Sequence, residues 1–318
     1  MADAVFISLG PDRAELFRWS PGSTGDRLVQ ATIEREGEGG PAGGVHLGRV
    51  VKIERTLNAA FVEIGLDRPG LLPLKKHDSL SEGDAVAVQV RREAREEKGV
   101  RLTRFNAKPN LIADKTPPAL LVPPPMLWQT VMKTLVPERV DAIHCDRRGD
   151  GEKIIAAAPE LAKKVHHTPR RSWEMNDAAA NEEIAAALQE EVPLSSGGNL
   201  LFEPVRTLCA IDVNSGDASA RRGEGGGIDE TALSVNLAAA REIPIQLALR
   251  NIGGVIVIDF IDLEQRGKRD QVVEALREAV IVDPAIDWVG NMSRLGLVEL
   301  KRRRSGPTLA EMWSKRDA

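Results

Sequence analysis

The sequence predicts a mixed α/β and α+β protein, with a strand-rich beginning and a later alternation of strands and helices. Three observations predict it. Residues 1–35 carry three apolar runs separated by turn residues. Residues 45–104 hold about five short strand-like runs. Residues 200–300 alternate β-branched runs with amphipathic stretches. No internal repeat is evident.

In the first region, Val5–Leu9, Ala14–Trp19 and Leu28–Ile33 read as strands, divided by Gly10-Pro11-Asp12 and Pro21-Gly22-Ser23. Residues 36–44 (EGEGGPAGG) read as a flexible joint. Val45–Ile53 alternates, Ala59–Leu66 follows, and Arg68–Leu74 turns into a further strand. Val86–Val90 and Val100–Thr103 complete the set. Five short strands in so few residues suggest a small closed barrel, with a plain β-meander as the alternative. Residues 107–125 are proline-rich and read as a connector.

A helix is expected near Met126–Leu135, with strands through Arg139–Cys145 and Lys153–Ala157. Ala178–Glu191 reads as a helix, since Ile184 and Leu188 share a face. Thr207–Val213 reads as a strand, and a long helix starts at Asp229. Pro244 falls inside that helix and predicts a kink or a break. Val255–Phe260 is an unbroken apolar run and reads as a buried central strand. Lys268–Val280 is the next helix, and Asp287–Met292 and Gly296–Leu300 read as later strands.

At 318 residues and 42% hydrophobic content, the chain can bury one large core or two to three smaller ones. A net charge of −4 argues against a protein that coats nucleic acid by bulk charge. Local charge differs. Arg91–Arg104 holds six basic residues, Lys163–Arg171 adds four with His166 and His167, and Lys301–Arg304 is four in a row. Any one of these alone reads as a solvated face. Aromatics are 3% with no tyrosine, so base stacking must rest on a few placed rings. No basic leader and no apolar run of 18 residues is visible, which reads as a cytoplasmic protein without a membrane span. Cys145 and Cys209 lack CxxC spacing, so no structural zinc is expected.

The informative pattern is two carboxylates at the ends of two apolar strands, Asp212 and Asp259. Buried strands rarely carry aspartate, because an unpaired charge there is costly. If the strands are neighbours, the two carboxylates converge and favour a cation. Oxygen ligands suit Mg²⁺ or Mn²⁺ and not zinc. Such an ion activates water and stabilises phosphoryl charge. Asn214 offers a neutral oxygen or a phosphate donor, and Asp262 can orient a ligand from behind. The alternative is that these aspartates cap turns after strands. The pattern alone reaches a metal site and does not reach RNA.

Three segments resemble the ribonuclease E/G family in order and spacing: Ala210–Gly216 (AIDVNSG), Asn236–Ile243 (NLAAAREI) and Leu249–Asp262 (LRNIGGVIVIDFID). Arg55–Leu74 and Ser293–Leu297 resemble it more weakly. The resemblance implies an RNase H-like subdomain (1–40 and 108–200), interrupted by an OB-fold RNA-binding barrel (41–107). A DNase I-like subdomain (201–318) follows. It implies a Mg²⁺-dependent endoribonuclease that cuts single-stranded RNA to 5′-phosphate and 3′-hydroxyl ends. Asp212 and Asp259 then match metal ligands and Asn214 their partner. Phe61 matches a base-stacking ring, with barrel core as its other reading, and Lys98 a basic RNA contact. Leu71 stands where the family has a second ring. Arg294, Lys301 and Arg302 are expected to hold phosphates.

Several departures modify that picture. No Arg-Thr-Ala-Gly segment lies between residues 104 and 130, so sensing of a 5′-monophosphate is not expected. No CPxC link is present, so a zinc-tied tetramer is not expected, although a homodimer through another surface is allowed. Pro244 and the glycine-rich loop 217–227 alter the surroundings of the site. Two other classes stay open: an RNA-binding or ribosome-associated factor with little nuclease activity, and a phosphodiesterase acting on DNA or small phosphoesters.

Overall fold

The computed structural model describes residues 2–314 apart from 12, 23–24, 36–39, 76–77, 93–98, 174–176, 206, 217–227, 282 and 305. Lys98 and the loop 217–227 therefore lie outside the described residues. The chain divides into two units: Met1–Arg35 with Leu127–Ala318, and Glu36–Met126.

The first three strands, β1 (Asp3–Leu9), β2 (Arg13–Gly22) and β3 (Gly25–Arg35), form an antiparallel run, as the turn residues predict. Gly10 makes the first turn tight. Its N–H donates to the Arg13 carbonyl at 2.8 Å, and a Cβ there would stand 2.8 Å from the same oxygen.

In the second unit, β4 (Val45–Glu54), β5 (Ala59–Glu63), β6 (Gly70–Pro73), β7 (Ala85–Arg92) and β8 (Arg101–Arg104) close on themselves. The order is β5-β6-β8-β7-β4, and β4 pairs back onto β5. This is a five-stranded OB-like barrel. The alternating sequence explains it: Val50, Ala60, Val62, Leu72, Val88, Val90 and Leu102 point inward. The proline-rich stretch is more than a connector. It contains a short helix, α1 (Pro109–Ile112), and a strand, β9 (Ala119–Val122), on β4. Prolines flank β9 and leave its four residues free to pair, which confines it to an edge.

The chain then returns to the first unit through α2 (Leu127–Met132). Strand β10 (Val140–Cys145) joins β1 in parallel. Asp150–Ala157, expected in part as a strand, is instead the helix α3. Ile154 is its buried contact, and the local run of alanines favours helix over the two isoleucines. Strand β11 (Val165–His167) completes a sheet in the order β11-β10-β1-β2-β3. Helix α4 (Asp177–Ala187) packs Ala180 and Ile184 with Phe6, Trp19 and Trp173.

The second sheet of this unit begins with the hairpin β12 (Glu191–Pro193) and β13 (Asn199–Pro204). Strand β14 (Leu208–Asn214) follows, then α5 (Ile228–Leu249) and β15 (Gly254–Asp259). Helix α6 (Arg266–Val280), β16 (Ile286–Val289), β17 (Leu297–Arg302) and α7 (Leu309–Ser314) end the chain. The order is β12-β13-β14-β15-β17-β16. Helix α5 runs through Pro244 as one helix of 22 residues, so of the expected kink or break the break is absent. Ala240, Ile243 and Leu247 around it are fully buried, and that packing outweighs a proline penalty of about 3 kcal/mol.

Strand β15 is central but covered on one face. Ile256 and Ile258 pack with Ile211, Val235, Ala239 and Val272 of one core. The other face carries Ala210, Asp212, Val255, Val257, Asp259, Glu299 and Lys301, all half-buried or exposed. Among the described residues, no helix is long and apolar enough to cross a membrane.

Candidate active site

β14 and β15 are parallel neighbours, so a helical crossover joins them and their carboxyl ends share one sheet edge. The ladder pairs Asp212 with Asp259 directly. Paired residues on adjacent strands point to the same face, about 4.8 Å apart along the hydrogen-bond direction. Both carboxylates therefore stand side by side on the face that the helices leave open. Burial, and then the charges of Asp212 and Asp262, push the Asp259 carboxyl above its ordinary range. Asn214 Nδ2 donates to Asp212 Oδ2 at 2.7 Å, which orients that carboxylate and leaves its second oxygen to other partners.

Asp262 is exposed in the segment after β15. Asn236, fully buried on α5, clamps that segment: its Nδ2 donates to the Ile261 carbonyl at 2.8 Å, and Ile261 N–H donates to its Oδ1 at 3.0 Å. This is a positioning role that sequence reasoning did not assign to Asn236. Gly296 closes the site from the turn before β17. It has φ of +79°, and a Cβ there would lie 3.4 Å from Asp262 Oδ1 and 3.9 Å from Asp259 Oδ1. The nearest atom to that Cβ would be the Phe260 carbonyl oxygen, at 3.0 Å, so glycine lets this turn lie close against the backbone that carries the carboxylates. Arg294 is exposed in that same turn, which Ser293 Oγ stabilises by accepting from Leu295 N–H and Leu297 N–H.

Lys301 and Arg302 separate. Lys301 is exposed on the open face, four residues along β17 from Leu297, which pairs with Asp259. That is roughly 13 Å along the strand. Arg302 alternates inward and is 4% exposed. Its Nε donates to Asp283 Oδ2 at 2.7 Å, and its Nη1 to Asn251 Oδ1 at 3.1 Å and Ile252 O at 3.0 Å. Arg302 is therefore a core ion pair and not a phosphate contact. Strand alternation could have shown this, because Lys301 and Arg302 are successive residues of one strand and must face opposite ways.

Sequence reasoning also passed over Trp288. It pairs with Lys301 across β16 and β17, so both share the open face, and the indole is 51% exposed. In a chain with five tryptophans and no tyrosine, an exposed indole beside a cation is a signal that could have been read.

In the barrel, Phe61 is half-buried and absent from the inward core. It heads a surface row. The ladders pair Lys52 with Phe61, Phe61 with Leu71, Leu71 with Arg101, and Arg101 with Arg92. The row thus sets one aromatic ring among three cations on the barrel surface. Among the described residues, no group of three or more His, Cys, Asp or Glu gathers as a metal cluster. Cys145 and Cys209 lie buried in different sheets, and burial pushes the Cys209 thiol up to about 11.

These features define an α/β protein with a carboxylate pair at the ends of adjoining parallel strands and an OB-like barrel. Residues 87–305 match the model of the Ribonuclease E/G family, and the chain belongs to that family. It is similar to ribonuclease E of Haemophilus influenzae, 29% identical over 381 residues, covering 90% of this chain and 40% of the relative. It is also similar to ribonuclease E of a Nostoc species, 42% identical over 153 residues, 47% of this chain and 21% of the relative. Ribonuclease G of Escherichia coli is 32% identical over 183 residues, 56% of this chain and 37% of the relative. The chain thus spans less than half the length of these curated relatives.

Proposed function

We propose that the chain is a metal-dependent endoribonuclease that cuts single-stranded RNA to 5′-phosphate and 3′-hydroxyl ends. The observation that carries this is the pairing of Asp212 with Asp259 at one sheet edge. Membership of a family whose relatives are named ribonucleases supports it. We read β1–β3 with β10, β11 and α4 as the RNase H-like part, and the sheet from β12 onward as the DNase I-like part.

The donor set fits a hard cation. Asp212 and Asp259 would hold Mg²⁺, or Mn²⁺ in its place. Such an ion, when bound, supplies Lewis-acid stabilisation of phosphoryl charge and a more acidic water. The chain's own groups do the rest. Asn214 holds Asp212 in one orientation, and Asn236 fixes the backbone between Asp259 and Asp262. Arg294 and Lys301 face phosphates of the strand, and Phe61 stacks a base on the barrel. In the reaction, water oxygen bonds to phosphorus, the bond from phosphorus to O3′ breaks, and O3′ takes a proton.

We further propose that cleavage ignores the 5′-end. The alignment with the Haemophilus protein runs over 381 residues, whereas 90% of this 318-residue chain is about 286. The relative therefore has on the order of 95 positions in that span that this chain does not match, room for a sensor segment that is shortened here.

The test is cleavage of labelled single-stranded oligonucleotides, with 5′-phosphate or 5′-hydroxyl ends, in Mg²⁺ or Mn²⁺. Wild type should cut both, and Asp259→Asn should cut neither. Equal inactivity of the two proteins across several substrates overturns the enzyme reading. The row of Phe61 with Lys52, Arg101 and Arg92 on the barrel supports one alternative, an RNA-binding factor with little turnover. RNA binding unchanged in Asp212→Asn, with no cleavage by wild type, would establish that alternative.

A further inference from the structure

The open face of β14, β15, β17 and β16 carries three cross-strand rows. The first is Asp212, Asp259 and Leu297. The second is Ala210, Val257 and Glu299. The third is Leu208, Val255, Lys301 and Trp288. We propose that Trp288 seats a nucleobase of the RNA strand, a few nucleotides away from the bond that the carboxylate pair addresses. This rests on the reading of the chain as an RNA-cutting enzyme, and it adds a second point at which the same strand is held.

The ring is left in water although the chain has core positions for indoles. Trp19, Trp128 and Trp173 are buried, whereas Trp288 is 51% exposed. Val255, in the same row, is also exposed, and Lys301 stands between the two. Apolar side chains exposed together on one face mark an interaction surface, while scattered ones do not. This face is the one that holds Asp212 and Asp259, so a strand reaching the carboxylate pair passes over it. Single-stranded RNA is bound by splaying its bases onto aromatic side chains, open sheet faces included.

The indole is also held in a useful attitude. A Cβ on Gly290 would stand 3.0 Å from Trp288 Cη2 and 3.5 Å from its Cζ2. The ring therefore leans along the strand over Gly290, and the missing side chain gives it room. The backbone beneath is fixed. Gly290 N–H donates to the Glu299 carbonyl at 2.8 Å, and Arg277 Nη2 donates to Asn291 Oδ1 at 2.7 Å. A ring laid down in this way offers its outer face to a flat partner, and every base has such a face.

Charge at this end of the sheet points to a base and not to a run of phosphates. Asp287 and Arg303 pair with each other at 3.0 Å, and exposed Glu299 offsets exposed Lys301. No positive surplus remains to grip a strand by its backbone alone. The ring takes a base, and Lys301 beside it takes one phosphate. Trp288 lies roughly 13 Å along the strands from the carboxylate row and two strands over from Asp259. That span is too long for one nucleotide and within reach of a short single strand.

The experiment has two arms, both on the full chain. In the first, without divalent metal, wild type, Trp288→Ala and Trp288→Phe are titrated with a single-stranded oligoribonucleotide and with the same backbone carrying abasic linkers in place of every base. Trp288→Ala should bind the oligoribonucleotide about tenfold more weakly, and Trp288→Phe should be intermediate. The abasic backbone should not distinguish the three proteins. Trp288 is exposed, so the ligand-free melting temperature should not move. In the second arm, with Mg²⁺ or Mn²⁺, single abasic positions are walked along a strand that wild type cuts. One position a few nucleotides from the cut should slow wild type and leave Trp288→Ala indifferent. Equal RNA binding by wild type and Trp288→Ala, an equal loss on RNA and on the abasic backbone, or a walk to which both proteins respond alike overturns the seat, while cleavage by wild type leaves the enzyme reading standing. A tenfold loss specific to bases, with no cleavage by wild type, keeps the seat and overturns the enzyme reading. A dimer in solution that Trp288→Ala separates gives the ring to a second copy of the chain and overturns the seat. No binding of RNA overturns both.

Discussion

Removing the Arg302 side chain should destabilise the protein far more than it weakens RNA binding, and removing Lys301 should do the reverse. Arg302→Met leaves Asp283 in the core, 7% exposed, with its Oδ2 partner gone and only Ala285 N–H still donating to Oδ1 at 2.9 Å. Breaking one side of a buried ion pair costs about 3–5 kcal/mol. Each kcal/mol moves the melting temperature by about 2–4 °C in a unit of this size, so a fall of about 6–20 °C is expected. The double variant Arg302→Met with Asp283→Leu should recover much of that loss, because apolar replacement of both partners is often close to neutral. Lys301→Ala should stay within about 0.5 kcal/mol of wild type. It should also reduce the slope of log affinity against log salt by about one phosphate contact. Thermal melts and salt-dependent RNA binding on all four proteins decide the matter. If Arg302→Met melts like wild type, or loses RNA as Lys301→Ala does, the assignment of these two neighbours is wrong.

Phe61→Ala should weaken single-stranded RNA by about 1–3 kcal/mol and leave barrel stability nearly intact, since the ring lies outside the barrel core; a large drop in melting temperature would return Phe61 to the core. Trp288→Ala should abolish the RNA-induced quenching of exposed tryptophan fluorescence, read without metal, and unchanged quenching would remove Trp288 from the RNA face. Glu242 is held below the ordinary glutamate range because the Arg27 and Gln246 hydrogen bonds and nearby positive charge outweigh the effect of burial. A depressed carboxylate stabilises the fold above its ordinary value and loses that contribution as pH falls through the depressed one. Arg27→Met should therefore cost about 1–3 kcal/mol at neutral pH, with the gap to wild type closing in acid; a gap constant with pH would refute it. Gly296→Ala should cost about 1–2 kcal/mol for its left-handed backbone, and should lower cleavage more than RNA binding because the new Cβ, 3.0 Å from the Phe260 carbonyl oxygen, shifts the backbone between Asp259 and Asp262.

The sequence was most readable where local chemistry and long-range placement agree. An aspartate at the end of an apolar strand is unusual whichever strand it sits on, so Asp212 and Asp259 stood out before any pairing was known. The barrel was legible because its strands are short and closely spaced and the longer ones alternate, as Ala85–Arg92 does. Misreadings fell where tertiary packing overrides the local signal. Lys153–Ala157 looked like a strand because of two isoleucines, but its buried contact is a single Ile154 and the turn is helical. Pro244 predicts a kink or a break, and the break is absent because the fully buried side chains around it hold α5 together. Arg302 looked like the second member of a basic run, and only strand alternation and the distant Asp283 reveal that it points inward.

The carboxylate pair marks the limit of that legibility. Asp212 and Asp259 lie on strands separated by a whole helix, and no window of the sequence contains both. Each aspartate alone reads as well as a turn cap as it does as a ligand. The sheet is what brings them together, because β14 and β15 are parallel neighbours that meet at their carboxyl ends, and the ladder sets one aspartate directly against the other.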